Sequence, residues 1–191
     1  MILYINACVR PESRTRRLAE YLLGKLGGET AELRLSEQRF PRADAAFLSL
    51  RDGLIRNGAF SDPLFAPARQ FAEADTVVVA APYWDLSFPA KLKEYFEQIN
   101  VTGVTFNYSA EGIPMSLCRA KRLYYVTTAG GPILSEEYGF GYVRALARGF
   151  YQIPEVRSVS AEGLDVWGAD VEAILRRAED EIDRMLAEKT E

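Results

Sequence analysis

Three short segments of this 191-residue chain carry residue types that could bind a ligand or act on one. The first, residues 7–15, places Ser13 and Thr15 where a helix is predicted to begin. The free amides and the positive dipole end of a helix suit a phosphate group, and two hydroxyls would add donors. Ser13 could equally serve only as the N-cap of that helix.

The other two segments are rich in aromatic residues and in glycine. Residues 82–89 place Tyr83 and Trp84 directly after an apolar run, where a flat ring could lie against them. Packing in the core or at an interface would explain the same aromatics. Residues 127–132 contain the pair Gly130 and Gly131, which would let the backbone approach a ligand closely or would only form a tight turn.

Composition excludes several kinds of catalysis. The chain has no histidine, so Ser-His-Asp catalysis, Cys-His catalysis and histidine-based zinc sites are excluded, and we expect no metal site. Any catalysis must therefore use other side chains or a cofactor. The formal charge of −4, from 23 basic and 27 acidic residues, gives no overall attraction to nucleic acid or anionic lipid.

Location follows from what the chain lacks. The longest apolar stretch, around residues 77–82, is far shorter than the roughly 20 residues that a bilayer span requires. The N-terminus has no basic region or cleavage site of a signal peptide. Cys8 and Cys118 do not form a CxxC pair, and a secreted disulfide scaffold would carry more cysteines. We therefore expect a cytoplasmic protein without a membrane association.

Hydrophobic periodicity predicts the elements that must position these segments. Apolar or alternating runs predict strands at residues 2–6, 30–35, 76–81, 122–128 and 155–160. Amphipathic patterns predict helices at residues 13–26, 43–55, 63–74, 89–100, 138–151 and 169–188, and residues 101–118 are expected to form an excursion that could be a small hairpin. This alternation predicts one α/β domain over residues 1–191, built on a doubly wound, five-stranded parallel sheet.

In such a sheet, ligands bind at the carboxyl ends of the strands, at the topological switch point. The loops after the first, third and fourth strands, residues 7–15, 82–88 and 128–138, should therefore converge on one site. Each loop alone is a weak signal, and their convergence is a stronger one.

On these residues the chain resembles the FMN-dependent NAD(P)H:quinone oxidoreductases and azoreductases of the flavodoxin-like superfamily, over nearly its full length. Residues 13–15 resemble the phosphate-binding turn of that family, and residues 128–131 resemble its second flavin loop. The most specific match is the run Ala81-Pro82-Tyr83-Trp84-Asp85-Leu86, followed by Pro89, Leu92-Lys93 and Gly103-Val104-Thr105-Phe106-Asn107-Tyr108. Asp85 departs from the family, which commonly has an amide at that position.

The resemblance implies a flavodoxin-like fold, bound FMN, and NADH or NADPH as the co-substrate. In a ping-pong cycle the nicotinamide would deliver hydride to flavin N5, and a quinone, azo or nitroaromatic acceptor would then take its place. The residues implied to bind FMN are Ser13, Arg14, Thr15, Pro82, Tyr83, Trp84, Asp85, Leu86, Thr128, Ala129, Gly130 and Gly131.

The resemblance also suggests roles around the flavin. The backbone amides of Gly130 and Gly131 would stabilise negative charge on the reduced ring, and an amide near Asp85 could bond N5. Phe106, Tyr108 and Tyr138 could wall the pocket of a small aromatic acceptor, although core or interface packing would explain each of them as well. A homodimer is implied, and we expect exposed aromatics in residues 104–108 at its interface.

Three alternatives remain at this point. Cys8 and Arg14-Thr15 match the C-x5-R-[ST] signature of low-molecular-weight tyrosine phosphatases, in which a thiolate attacks phosphorus while the arginine clamps the phosphate. Glu12 would repel a phosphate there, and the only Asp-Pro, Asp62-Pro63, lies far from the C-terminal position of the acid in those phosphatases. The other two alternatives are a flavodoxin-like electron carrier and a structural protein with an empty fold.

Overall fold

The computed structural model describes residues 1–188 and confirms the predicted parallel sheet. Its five strands are β1 (Ile2–Asn6), β2 (Thr30–Arg34), β3 (Thr76–Ala80), β6 (Arg122–Thr128) and β7 (Glu155–Ala161), while β4 (Phe106–Tyr108) and β5 (Pro114–Ser116) form a separate antiparallel hairpin. The five lie in the order β2-β1-β3-β6-β7, and every neighbouring pair is parallel. The sheet order reverses between β1 and β3, as in other doubly wound folds.

Helices cover both faces of this sheet. They are α1 (Arg14–Leu26), α2 (Ala45–Arg56), α3 (Ala66–Glu73), α4 (Ala90–Ile99), α5 (Tyr142–Gly149) and α6 (Val171–Ala187). Apolar residues of α1 and α6 pack on one face, and those of α3, α4 and α5 pack on the other. All residues of β1 and β3 are buried because both faces are covered, whereas the edge strand β2 alternates between exposed and half-buried residues.

Local sequence explains where α1 begins and ends. Ser13 is the N-cap, and its side chain accepts a hydrogen bond from the amide of Arg16. Leu18 and Leu22 are fully buried on the face that meets the sheet. Gly27 ends the helix with a φ of 63° and donates its amide to the carbonyl of Leu23. Because α1 follows β1 along the chain, its first turn lies at the carboxyl end of the sheet.

Two segments differ in detail from the prediction. The helix predicted from residue 138 starts as a π-helical turn, Glu137–Gly141, before α5. Gly141 permits that turn, because a Cβ there would lie 3.0 Å from the carbonyl oxygen of Glu136. The expectation of exposed aromatics in residues 104–108 was wrong except for Tyr108, since Phe106 is buried against Phe150 with ring centroids 4.8 Å apart.

No helix within residues 1–188 is long and apolar enough to cross a membrane.

Candidate functional site

A cleft of about 310 Å³ opens at the carboxyl ends of β1, β3 and β6. The three predicted loops converge on it, together with a fourth segment that follows β7. Its lining residues are Val9, Arg10, Glu12, Ser13, Arg14, Thr15, Pro82, Tyr83, Trp84, Thr128, Ala129, Gly130, Leu164 and Asp165. Nine of the twelve residues that we expected to hold a cofactor are among them, while Asp85, Leu86 and Gly131 lie in the same loops outside the lining.

The first of the three loops, residues 7–15, is attached to β6 by a buried pair of hydroxyls. Thr15 Oγ1 and Thr128 Oγ1 lie 2.6 Å apart, and both residues are buried. The Thr15 hydroxyl therefore fixes the start of α1 against the end of β6. Ser13 caps α1 at 3.2 Å from the Arg16 amide, so its hydroxyl also serves the local structure.

Arg14 projects from the first turn of α1 to the segment after β7. Its Nη1 donates to Asp165 Oδ1 at 2.7 Å and to the carbonyl oxygen of Leu164 at 3.2 Å. Both side chains of this ion pair are largely exposed, at 42% and 67%. The cleft therefore has a guanidinium at its edge that is bound to a carboxylate by one nitrogen.

The second of the three loops, residues 82–88, forms a tight two-residue turn. Trp84 and Ser87 exchange backbone hydrogen bonds of 3.0 and 2.8 Å, and Asp85 and Leu86 between them have φ values of 50° and 68°. Such a turn favours Asn, Asp or Gly at these positions, and a leucine there carries backbone strain. The turn leaves the Trp84 indole partly exposed, at 38%, in the lining of the cleft. It presents an aromatic surface to any flat ring that enters.

The third of the three loops, residues 128–138, is attached to the segment after β7 by three backbone hydrogen bonds. The amides of Gly163, Leu164 and Asp165 donate to the carbonyls of Gly131, Ala129 and Gly130 at 3.1, 3.2 and 2.8 Å. Gly130 fits closely against Asp165, because a Cβ there would overlap a carboxylate oxygen of that side chain and lie 3.1 Å from its Cγ unless the side chain moved.

Sequence reasoning missed Leu164 and Asp165 as lining residues. Their signal was their position after the fifth predicted strand, since that loop emerges at the same edge of the sheet as the other three.

The structure does not bring the three predicted acceptor residues into this cleft. Phe106 is buried in the core, whereas Tyr108 and Tyr138 are about half exposed on the β4–β5 hairpin and in the π-helical turn. Tyr138 lies near the second loop, because Ser87 Oγ donates to its carbonyl oxygen at 2.5 Å. An acceptor contact for Tyr108 and Tyr138 stays a prediction.

Cys8 lacks the features of a phosphatase nucleophile. It is buried, it does not line the cleft, and its Sγ lies 3.9 Å from the carbonyl oxygen of Ala80. Burial raises the pKa of this thiol above its ordinary value. A catalytic cysteine needs the opposite shift and access to the substrate, so the geometry argues against the phosphatase alternative.

We expect both thiols to resist alkylation in the folded protein. Burial also raises the pKa of the Cys118 thiol, to about 12, so at pH 7.5 both cysteines are protonated and shielded. Iodoacetamide should modify them slowly at that pH, the buried Cys8 more slowly than the half-buried Cys118, and faster as the pH rises, with two equivalents reacting at once in denaturant. Mass spectrometry of timed samples measures this. Rapid modification of Cys8 at pH 7.5 would contradict the burial that excludes it as a nucleophile.

Among residues 1–188, no group of three or more acidic or cysteine side chains is placed to hold a metal ion.

The chain is similar to known proteins over most of its length. A family model described as Flavodoxin-like fold matches residues 1–186. The chain is 36% identical over 186 residues to FMN-dependent NADH:quinone oxidoreductase 2 of Clostridium acetobutylicum, covering 92% of each chain. It is 34% identical to FMN-dependent NADH:quinone oxidoreductase of Clostridium beijerinckii, covering 94% of each.

Solved structures resemble it at lower identity. The azoreductase of Bacillus anthracis str. Sterne superposes with a TM-score of 0.81 at 23% identity, covering 96% of this chain and 97% of that one. An FMN-dependent NADH-azoreductase of Bacillus anthracis str. Ames Ancestor in complex with FMN gives 0.79 at 23% identity, covering 96% of each chain. At this identity the likeness shows the fold.

Proposed function

We propose that this chain, which belongs to the flavodoxin-like family, is an FMN-dependent NAD(P)H oxidoreductase and reduces small aromatic acceptors. The observation that carries this proposal is the convergence of three separately predicted loops on one cleft at the switch point of the sheet. Relatives named FMN-dependent NADH:quinone oxidoreductases, similar over more than nine-tenths of the chain, support it.

The residues of the cleft fit the chemistry of FMN. Arg14 and the first turn of α1 offer a cation and amides to a phosphate, and Trp84 offers an aromatic surface to a ring. Gly130 lines the same cleft without a side chain, where a Cβ would overlap the Asp165 carboxylate in its present position. These features are those that a flat ring joined to a phosphate requires.

Bound FMN would supply the hydride relay between nicotinamide and acceptor. The chain's own residues would do the rest: the second loop positions the ring, and the amides of Gly130 and Gly131 stabilise negative charge that develops on it. The backbone bonds from the segment after β7 hold the third loop rigid for that purpose. We propose that the nicotinamide and the acceptor, a quinone, azo or nitroaromatic compound, occupy one place in turn.

Steady-state kinetics test this shared place. Initial rates at several fixed concentrations of a soluble benzoquinone, with NADH varied, should give parallel double-reciprocal lines, as expected of a ping-pong cycle. Azo and nitroaromatic acceptors should follow the same pattern, with NADPH compared as donor. Intersecting lines would show that both substrates bind together, and would contradict the shared place without affecting FMN binding.

We further propose that the protein works as a homodimer in the cytoplasm. The hairpin exposes apolar side chains at Tyr108, Ile113, Met115 and Leu117, which a second copy could cover. Both cysteines are free, as in a reducing compartment, which is also where NADH is held. Light scattering of the flavin-loaded protein should give twice the mass of the 21.4 kDa chain, and a monomer would contradict the dimer.

A further inference from the structure

The charges of the cleft pose a problem for a phosphorylated ligand. Two basic side chains, Arg10 and Arg14, and two acidic ones, Glu12 and Asp165, line it. The phosphate of FMN adds about −1.5 to −2 charges at pH 7. Arg14, the cation at the start of α1, is bound to Asp165. A phosphate that uses Arg14 must therefore compete with that carboxylate.

The ion pair has the geometry of an exchangeable contact. Arg14 holds Asp165 through Nη1 alone, and the same nitrogen also donates to Leu164. A second pair between α1 and the start of α6, Arg17 with Glu172, is bidentate, with two bonds of 2.8 Å. Bidentate pairs are the stronger and more specific ones, and a single exposed contact contributes little stability.

Asp165 also lies where the third loop would meet the ligand. Its amide donates to the carbonyl oxygen of Gly130 at 2.8 Å, and its carboxylate lies against the Cα side of that glycine. The backbone bond fixes the position of residue 165, while its side chain is 67% exposed and has space to rotate away from Arg14. The carboxylate can thus leave Arg14 without disturbing the loop.

We propose that Asp165 is the resident counter-ion of Arg14 and yields that arginine to the phosphate of FMN, so that Asp165 sets how strongly the cleft prefers FMN to riboflavin. The proposal rests on the proposed binding of FMN. The carboxylate keeps Arg14 neutralised at the edge of the cleft, and only a ligand with a stronger anion displaces it. Riboflavin, which has no phosphate, leaves the pair intact.

Flavin titrations of four variants test this proposal. Apo-protein is titrated with FMN and with riboflavin at low ionic strength, and the Kd is taken from quenching of flavin fluorescence. Asp165→Asn should lower the Kd for FMN about threefold, the scale of one exposed ion pair, and leave that for riboflavin unchanged. Glu172→Gln, which removes the carboxylate of the bidentate pair outside the cleft, should change neither.

The role of Arg14 is tested in the same way. Arg14→Gln should weaken the binding of FMN and leave that of riboflavin unchanged. Adding Asp165→Asn to Arg14→Gln should bring no gain in FMN affinity. Thermal melting checks that each variant folds.

Several outcomes would overturn the inference. They are an unchanged or higher Kd for FMN in Asp165→Asn, an equal gain in affinity for FMN and riboflavin, and a gain in FMN affinity that Asp165→Asn still gives in the Arg14→Gln background. The equal gain would mean that the carboxylate obstructs the ring, and the persistent gain would mean direct repulsion of the phosphate. If the wild-type protein binds FMN and Asp165→Asn fails these tests, only this inference falls. If the wild-type protein does not bind FMN, the proposed function falls with it.

Discussion

Replacing Gly130 with valine is expected to raise the Kd for FMN about five- to hundredfold, on the scale of the roughly 1–3 kcal/mol that overpacking costs. Even the first carbon of a side chain at this position would overlap the Asp165 carboxylate, and the rest of the valine would project into the lining of the cleft. Asp165 could rotate away, but the valine would still occupy space in the cleft where the ring is proposed to lie. Flavin fluorescence titration measures the loss.

Gly24→Val is the matched control for that substitution. Gly24 lies on α1, its Cβ would meet nothing within 4 Å, and it is remote from the cleft lining. It should bind FMN as the wild type does. If Gly130→Val bound FMN and were reduced by NADH as readily as Gly24→Val, our placement of the ring against the third loop would be wrong.

Replacing Thr15 with valine should lower the free energy of unfolding of the apo-protein by about 1–3 kcal/mol. Valine keeps the shape of threonine but removes one of two hydroxyls that lie 2.6 Å apart in the buried contact with Thr128. The remaining hydroxyl would be left without this partner away from water, which costs more than the bond itself contributes. Urea unfolding followed by circular dichroism measures the change.

A double-mutant cycle separates the hydroxyl contact from a general intolerance of valine. Thr128→Val should lose a similar amount, and Thr15→Val with Thr128→Val should recover much of it, because both partners are then apolar and no buried hydroxyl is orphaned. Strictly additive losses would show that the two hydroxyls do not depend on each other. The first loop would then need another explanation for its attachment to β6.

The sequence predicted the sheet and the convergence of three loops at its carboxyl edge because those features depend on local patterns. The run Thr76–Ala80 is apolar on both faces, and it is the buried strand β3. Leu18 and Leu22 repeat with helical spacing and face the core in α1. The carboxyl-end rule then located three of the four segments of the cleft without any knowledge of contacts.

The features that were missed depend on pairings between distant residues. Asp165 binds Arg14, 151 residues away, and Thr15 bonds Thr128, 113 residues away. No local pattern specifies which partner a polar side chain will find. Phe106 was expected near an acceptor, but a single aromatic in a short strand gives no sign of whether it faces solvent, and the structure buries it against Phe150.

Flavin binding and flavin reduction are both tested by the visible spectrum of the protein, recorded after loading with FMN and removal of the excess, before and after anaerobic addition of NADH or NADPH. We predict that the yellow colour stays with the protein and bleaches rapidly when the nicotinamide is added. Retained colour that does not bleach would indicate an electron carrier, and would contradict the oxidoreductase function while leaving the cleft as a flavin site. Failure to retain flavin would contradict the proposed binding of FMN, and with it the proposed function.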